Sequence, residues 1–200
     1  MVTDLVPLIF SSGWASGVNA YITVLVLGLF ARFSDTNVVP DSFGRTDVLV
    51  AAGVMVLVEL VVDKVPWLDS AWDGISTVVR PVVGGVVAYQ LAGDTGGVDQ
   101  TLLTALGGST ALVSHSVKTG LRLAVNTSPE PFSNIAVSTA EDISVVSVVA
   151  LAVAHPWVAL GISAVLLLIG IVLVILLLRV IRRARESRRR RRANAPDSAQ

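Results

Sequence analysis

Six ionisable residues crowd one stretch of an otherwise apolar chain. From Glu59 to Pro81 the sequence reads ELVVDKVPWLDSAWDGISTVVRP, which holds Glu59, Asp63, Lys64, Asp69, Asp73 and Arg80, with Pro66 and Gly74 interrupting the pattern. A second set lies downstream. His115, Lys118, Arg122 and Asn126 recur at i, i+3, i+7 and i+11, close to one face of a helix. Glu130 sits between Pro129 and Pro131, and Glu141 and Asp142 follow in the next apolar run. Upstream, Asn19 lies in the small-residue string SSGWASGVNAY, where Ser12 and Ser16 can also hydrogen-bond between helices. Carboxylates beside a lysine can relay protons or hold a cation. Asp69, Asp73, His115 and Glu130 could instead do acid–base work on a lipid at a membrane surface.

No catalytic spacing is completed. The chain has no HExxH, no GxSxG, no phosphate-binding loop and no dinucleotide fingerprint. Zero cysteines exclude a disulfide framework, thiolate metal sites and cysteine catalysis, and two histidines are too few for a His-rich metal site. No cofactor, no metal and no catalytic residue is expected.

The elements that must position these charges are apolar. The 200 residues are 53% hydrophobic and only 15% charged, with a mean hydropathy of +0.74. That is outside the range of ordinary soluble domains. Apolar runs near 20 residues recur along the whole length, so the expected fold is all-α, a polytopic membrane bundle of about six transmembrane helices. The expected spans are 13–33, 48–65, 75–91, 101–125, 136–154 and 158–180. Residues before Gly13 form an interfacial segment or the opening of the first span, without the basic flank of a secretory signal.

Two segments, DKVPWLDS and NTSPEPFS, break the helices at proline. In the first, Asp69 or Ser70 can cap a short helix inside an interfacial loop or shallow re-entrant hairpin. Pro81 should kink the third span. The membrane domain is assigned to 1–180, with an internal repeat of 48–89 on 111–152. A shift of 63 residues lays Pro66 on Pro129 and Glu59 on Arg122. Paired breaks at corresponding positions are the sequence pointer to a transporter-type midplane site.

Charge divides the chain further. Nine of fifteen basic residues fall between Arg179 and Arg192, while the preceding body holds six basic against thirteen acidic residues, a net −7. Residues 181–200 are expected to be a disordered cytoplasmic tail, and the positive-inside rule then places the protein in the plasma (inner) membrane as a multi-pass chain with its C-terminus in the cytoplasm. Six spans put the N-terminus there too. Arg32 and Arg45 fall outside, against the rule.

Charges at helix centres cost roughly 2.5–3.5 kcal/mol each on insertion scales and normally pair inside the bundle. The economical pairing sets the Glu59/Asp63 face against the His115/Lys118/Arg122 face.

Several strings together resemble a known family: SGVNAY, VELVVDKVPWLDSAWDGI, VRP, SHSVKTGLR, and NTSPEPFSN followed by ED. The resemblance runs from about Ser12 to Ile175 and is to the small bacterial membrane proteins of domain of unknown function 4126, which has plant relatives. It implies an integral membrane protein and carries no activity or site residues.

The reading that unites these features is a small-solute or ion transporter or channel. Its path candidates are Asn19, Glu59, Asp63, Lys64, Asp69, Asp73, Arg80, His115, Lys118, Arg122, Asn126, Glu130, Glu141 and Asp142. The alternative is a structural or partner-binding membrane protein whose charge network only stabilises the bundle. A lipid-modifying enzyme ranks below both. Expected partners are the lipid bilayer, anionic headgroups along Arg182–Arg192, and further copies of the chain, but no nucleic acid.

Overall fold

A computed structural model describes residues 2–35, 37–62, 65–93, 95–125 and 131–193. They form seven α-helices: α1 (Val2–Val18), α2 (Ala20–Phe33), α3 (Thr46–Val62), α4 (Pro66–Ala92), α5 (Gly97–Val125), α6 (Pro131–Ala154) and α7 (Pro156–Ala193). A short 3-10 turn, Asp41–Gly44, packs on α2. No strand occurs among the described residues.

The helix ends follow local chemistry. Pro66 and Pro131 stand at the first position of α4 and α6, where a missing N–H costs nothing. Gly93, at φ +53°, terminates α4 in a backbone region that favours glycine. Asn19 separates α1 from α2. Its backbone is extended (φ −150°, ψ 102°), and its side chain caps α2 by accepting from the Ile22 N–H at 3.0 Å.

That single residue reverses the chain. Ile9 lies at the level of Ala88 and Gly107, and Gly17 at the level of Arg80 and Ala111. From Asn19 the path returns: Val24 shares a crevice with Val83, Val87 and Gln90 of α4, and Gly28 lies against Leu49 and Phe43. Thus α1 and α2 form a hairpin whose open end lies beside the C-terminal end of α4. The tip lies at Arg80, about 18 Å from that end of α4 and about 21 Å from its start. The stretch 13–33, expected as one continuous span, is therefore the end of one helix and the whole of another.

The N-terminal segment opens the first helix. α1 is the central helix, packed on α4, α5, α6 and α7, with Leu8 and Ile9 fully buried. Its small residues allow this. A Cβ at Gly13 would lie 2.7 Å from the Gly107 carbonyl oxygen, and one at Gly17 would lie 2.6 Å from the Ser114 Cβ. The backbones of α1 and α5 thus meet with no room for a methyl group.

Other expectations also change. PWLDSAWDG is neither a loop nor a separately capped helix. α4 starts at Pro66 with Val65 as its N-cap and continues through Gly74 and Pro81. The Arg-rich stretch was expected to leave the helix after a turn or two, yet α7 runs on to Ala193. Arg is a good helix former, and the apolar turns before it have already met the cost of nucleation.

Among the described residues, three stretches are long and apolar enough to cross a membrane: Ala71–Ala92, Ile135–Ala154 and Pro156–Arg183. The other expected spans fall short for visible reasons. α1 and α2 are divided at Asn19, α3 has only 17 residues, and α5 carries the polar stripe. α7 is the outermost helix; most of its Leu, Ile and Val side chains are exposed.

Candidate functional site

The hairpin tip carries the site. Because α1 stops at Val18, the carbonyls of Gly17 and Val18 lack helical partners. Arg80 Nη1 donates to the Gly17 oxygen at 3.2 Å, and Lys118 Nζ donates to the Val18 oxygen at 2.8 Å. One turn earlier, Ser114 Oγ donates to the Trp14 oxygen at 2.8 Å. These cations stand at the negative end of the α1 dipole. The positive end of α2 has its own counterpart: Asn19 Nδ2 donates to Asp142 Oδ1 at 3.0 Å. Each half of the interrupted helix thus meets charge of the opposite sign.

Two clusters extend from the tip. In the first, Arg80 Nη2 pairs with Glu59 Oε1 at 2.5 Å, with both side chains 1% exposed. Arg80 Nη1 also lies 3.0 Å from His115 Nδ1. A guanidinium only donates, so this nitrogen accepts and the proton resides on Nε2. From there His115 donates to the Asp73 carbonyl oxygen at 3.2 Å, beside the Thr77 hydroxyl at the same distance. His115 is therefore a neutral imidazole held between α4 and α5. Asp73 itself is buried.

In the second cluster, Glu141 Oε2 receives Arg122 Nη2 at 2.7 Å and Lys118 Nζ at 3.3 Å. Both cations are almost fully buried, whereas Glu141 is 17% exposed. It faces a half-open cleft of about 150 Å³ whose walls are mostly apolar, with Trp14, Val18, Val117, Leu121 and Leu166 beside Ser114, Lys118 and Ser144. At about 30 Å³ per molecule, that is room for roughly five waters.

The stripe on α5 is therefore real. Among the described residues Glu59 pairs with Arg80, which also reaches His115 on the stripe, and Glu141 on α6 receives both Lys118 and Arg122; Asp63, the other half of the expected acidic face, lies outside the described residues. Glu59 near the end of α3 meets Arg80 well inside α4, and Glu141, ten residues into α6, meets Arg122 near the end of α5.

Asn19, Glu59, Asp73, Arg80, His115, Lys118, Arg122, Glu141 and Asp142 are brought together. Asp63, Lys64, Asn126 and Glu130 lie outside the described residues, as does the side chain of Asp69. So do parts of the segments that carry the expected repeat, including Pro129.

Sequence reasoning missed the backbone carbonyls of Gly17 and Val18, and also Thr77 and Ser114. The signal for the first was present: Gly-Val-Asn inside an apolar run combines a weak helix former with a favoured N-cap.

Some buried groups at this depth have no hydrogen-bond partner. They are Ser12 Oγ and Ser16 Oγ, one turn apart on α1, and Arg80 Nε. Buried orphans of this kind are accounted for by local strain, a bound water or an ion. No cluster of three or more His, Asp and Glu side chains converges as a metal site among the described residues.

A model of the family described as domain of unknown function (DUF4126) matches residues 6–176, from the first turns of α1 to well inside α7. No curated protein and no solved structure matches the chain.

Proposed function

The chain belongs to the DUF4126 family, and since that description carries no activity, we propose a function from its residues: a multi-pass membrane protein that moves a small ion or solute through the polar core at the hairpin tip. One observation carries the reading. The tip of a helical hairpin, with two half-helix ends, lies among ionised side chains midway along the bundle. Interrupted backbone at membrane depth is tolerated where it lines a cavity or is buried in protein. Half-helix ends facing charge near the midplane are how transporters build ion and substrate sites.

The arrangement we propose has five crossings: the three long apolar stretches in α4, α6 and α7, together with α3 and α5, whose shorter length and polar stripe are carried by packing within the bundle, with α1–α2 re-entrant from one side. By the positive-inside rule the basic end of α7 is cytoplasmic in the plasma membrane. The N-terminus then lies on the opposite side, together with Arg32 and Arg45. Arg182–Arg192 would meet anionic headgroups, at roughly 1 kcal/mol per residue near the surface.

Size limits the cargo. A cavity of about 150 Å³ is well below the roughly 300–1,000 Å³ of drug-sized ligand sites. An inorganic ion, a proton on a chain of waters, or a solute of a few heavy atoms fits the polar core. The test is flux in proteoliposomes under an imposed proton, sodium, potassium or chloride gradient. Wild-type protein should dissipate at least one gradient, and Glu141→Gln and Asn19→Ala should abolish that flux while eluting as folded protein. Wild-type vesicles as tight as empty ones towards every ion and common metabolite tried would refute the reading.

A second reading is favoured by the closeness of the pairs. Glu59–Arg80 and Glu141–Arg122 are already satisfied at 2.5 and 2.7 Å, as in a network that only fixes helix register. It predicts silent vesicles with a bundle that still depends on these pairs.

A further inference from the structure

Away from the hairpin tip, a crevice of about 280 Å³ opens between α2, α3 and α4. Val24, Phe43, Val48, Val83 and Val87 make its walls, while Val82 and Val86, each more than half exposed, form an outer lip. Two polar side chains belong to it, Ser42 and Gln90, and Ser42 Oγ is buried without a hydrogen-bond partner. Arg32 lies about 12 Å further along α2 than Val24, at the end of the bundle. Its side chain is exposed. One terminal nitrogen donates to Thr46 Oγ1 at 3.0 Å, and the guanidinium stands 6.0 Å from the ring centre of exposed Phe33. Aromatic rings at this level mark a membrane–water interface.

We propose that this crevice binds one glycerophospholipid of the bilayer, with its phosphate on Arg32, an ester near Ser42 and Gln90, and one acyl chain along the valine wall. The order of chemistries matches the order along the lipid: charge at the end, hydrogen-bonding atoms next, hydrocarbon beneath. Charge also selects the headgroup. Arg45 is engaged by Asp47 through two hydrogen bonds, which leaves Arg32 as the phosphate donor. Exposed Asp35 and Asp41 flank it in the chain, so a zwitterionic ethanolamine head suits the site better than an anionic one. The apolar wall would lose van der Waals partners if the crevice stood empty, and a chain drawn sideways from the bilayer restores them.

The proposal rests on the membrane placement above but not on transport, and the two fail separately. The full chain, in detergent and stripped of lipid, is titrated with phosphatidylethanolamine or with diacylglycerol of the same chains. Native mass spectrometry counts the adducts, and a melting curve follows stability. The wild type should hold one phosphatidylethanolamine and melt higher with it. Val86→Trp, which closes the lip from an exposed position, should weaken retention about tenfold or more while leaving the lipid-free melt unchanged; Val83→Phe should do the same from inside. Arg32→Gln should weaken the phospholipid and leave diacylglycerol unaffected. Leu168→Trp, on the outer face of α7, should change nothing. Equal lipid retention by wild type and a folded Val86→Trp would overturn the proposal, as would a wild type that holds no lipid at all. A chain absent from the membrane fraction would instead remove the placement.

Discussion

Removing Glu59 should damage the protein more than removing Arg80, although they are two halves of one ion pair. Both side chains are 1% exposed and lie 2.5 Å apart. Breaking a buried pair by deleting one partner costs about 3–5 kcal/mol. The two deletions differ in what they leave. In Glu59→Gln the guanidinium stays, and arginine cannot shed its charge. Its contacts with the Gly17 oxygen and His115 Nδ1 remain, but both acceptors are neutral. In Arg80→Met the carboxylate can take up a proton and become neutral, and only hydrogen bonds are lost, at about 1–3 kcal/mol. The double change Glu59→Gln with Arg80→Met leaves neither half of this pair as a buried charge, so it should be less destabilising than the sum of the single losses, by about 1–3 kcal/mol of coupling. For a chain of this length 1 kcal/mol moves the melting temperature by about 2–4 °C, so Glu59→Gln should melt about 6–20 °C low. The assay is thermal unfolding in detergent followed by tryptophan fluorescence or size-exclusion. A Glu59→Gln protein melting with the wild type, or strictly additive losses, would show that the pair does not carry this energy.

Four further outcomes follow from the geometry. Gly17→Ala places a methyl group against α5, 2.6 Å from Ser114 Cβ, and should cost about 1–3 kcal/mol; Gly53→Ala, with open space around it, should be neutral or slightly stabilising, and the reverse order in a melting assay would contradict the packing. Asn19→Ala removes the α2 cap and the contact with Asp142, and should lower stability by about 1–2 kcal/mol, with Asn19→Ser recovering part of it by the same measurement. Asp47→Asn breaks an exposed pair with Arg45 and should leave the melt unchanged, which checks that large effects belong to buried pairs only. Replacing Lys118, Glu141 and Arg122 together by Met, Leu and Met should keep a folded bundle, since apolar substitutes for a buried ion triad are often neutral or better, yet flux in proteoliposomes should vanish; persistent flux would exclude these residues from the path.

Much of this was legible in the residues. The polar stripe on α5 was visible as a period, because His115, Lys118 and Arg122 fall on one face of any helix. Close approach at SSGWASG was visible from side-chain size. The hairpin was not. Hydropathy sums over a window and sees α1 and α2 as one apolar run, whereas the reversal depends on the dihedral angles of Asn19 alone. The ion partners were also hidden. Pairing across a bundle depends on which helices are neighbours and how far each slides along the other, and a list of charges carries neither. Arg80 reaches Glu59 from well inside α4, an offset that sequence spacing does not carry. Composition argued for disorder in the arginine stretch; the described part of α7 continues to Ala193, as a helix already formed extends one hydrogen bond at a time.

The hairpin also explains why so much charge can lie at this depth. Each buried ion loses several kcal/mol of hydration, and a continuous helix offers nothing in return because its carbonyls are already bonded. An interrupted helix offers two things at one point: unbonded carbonyls with a negative dipole end, and a capped N-terminus with a positive one. Arg80 and Lys118 take the first, and Asp142, through Asn19, takes the second. Stability alone does not account for the result, because a filled apolar core would hold these helices at least as well. What an apolar core cannot do is present alternative partners to a visiting charge. Glu141 already divides itself between two cations beside a cleft with room for several waters, and the orphan hydroxyls of Ser12 and Ser16 lie on the neighbouring central helix α1. On the proposed reading, an ion entering there would meet ligands that can exchange it for one another, a property a path requires and a scaffold does not.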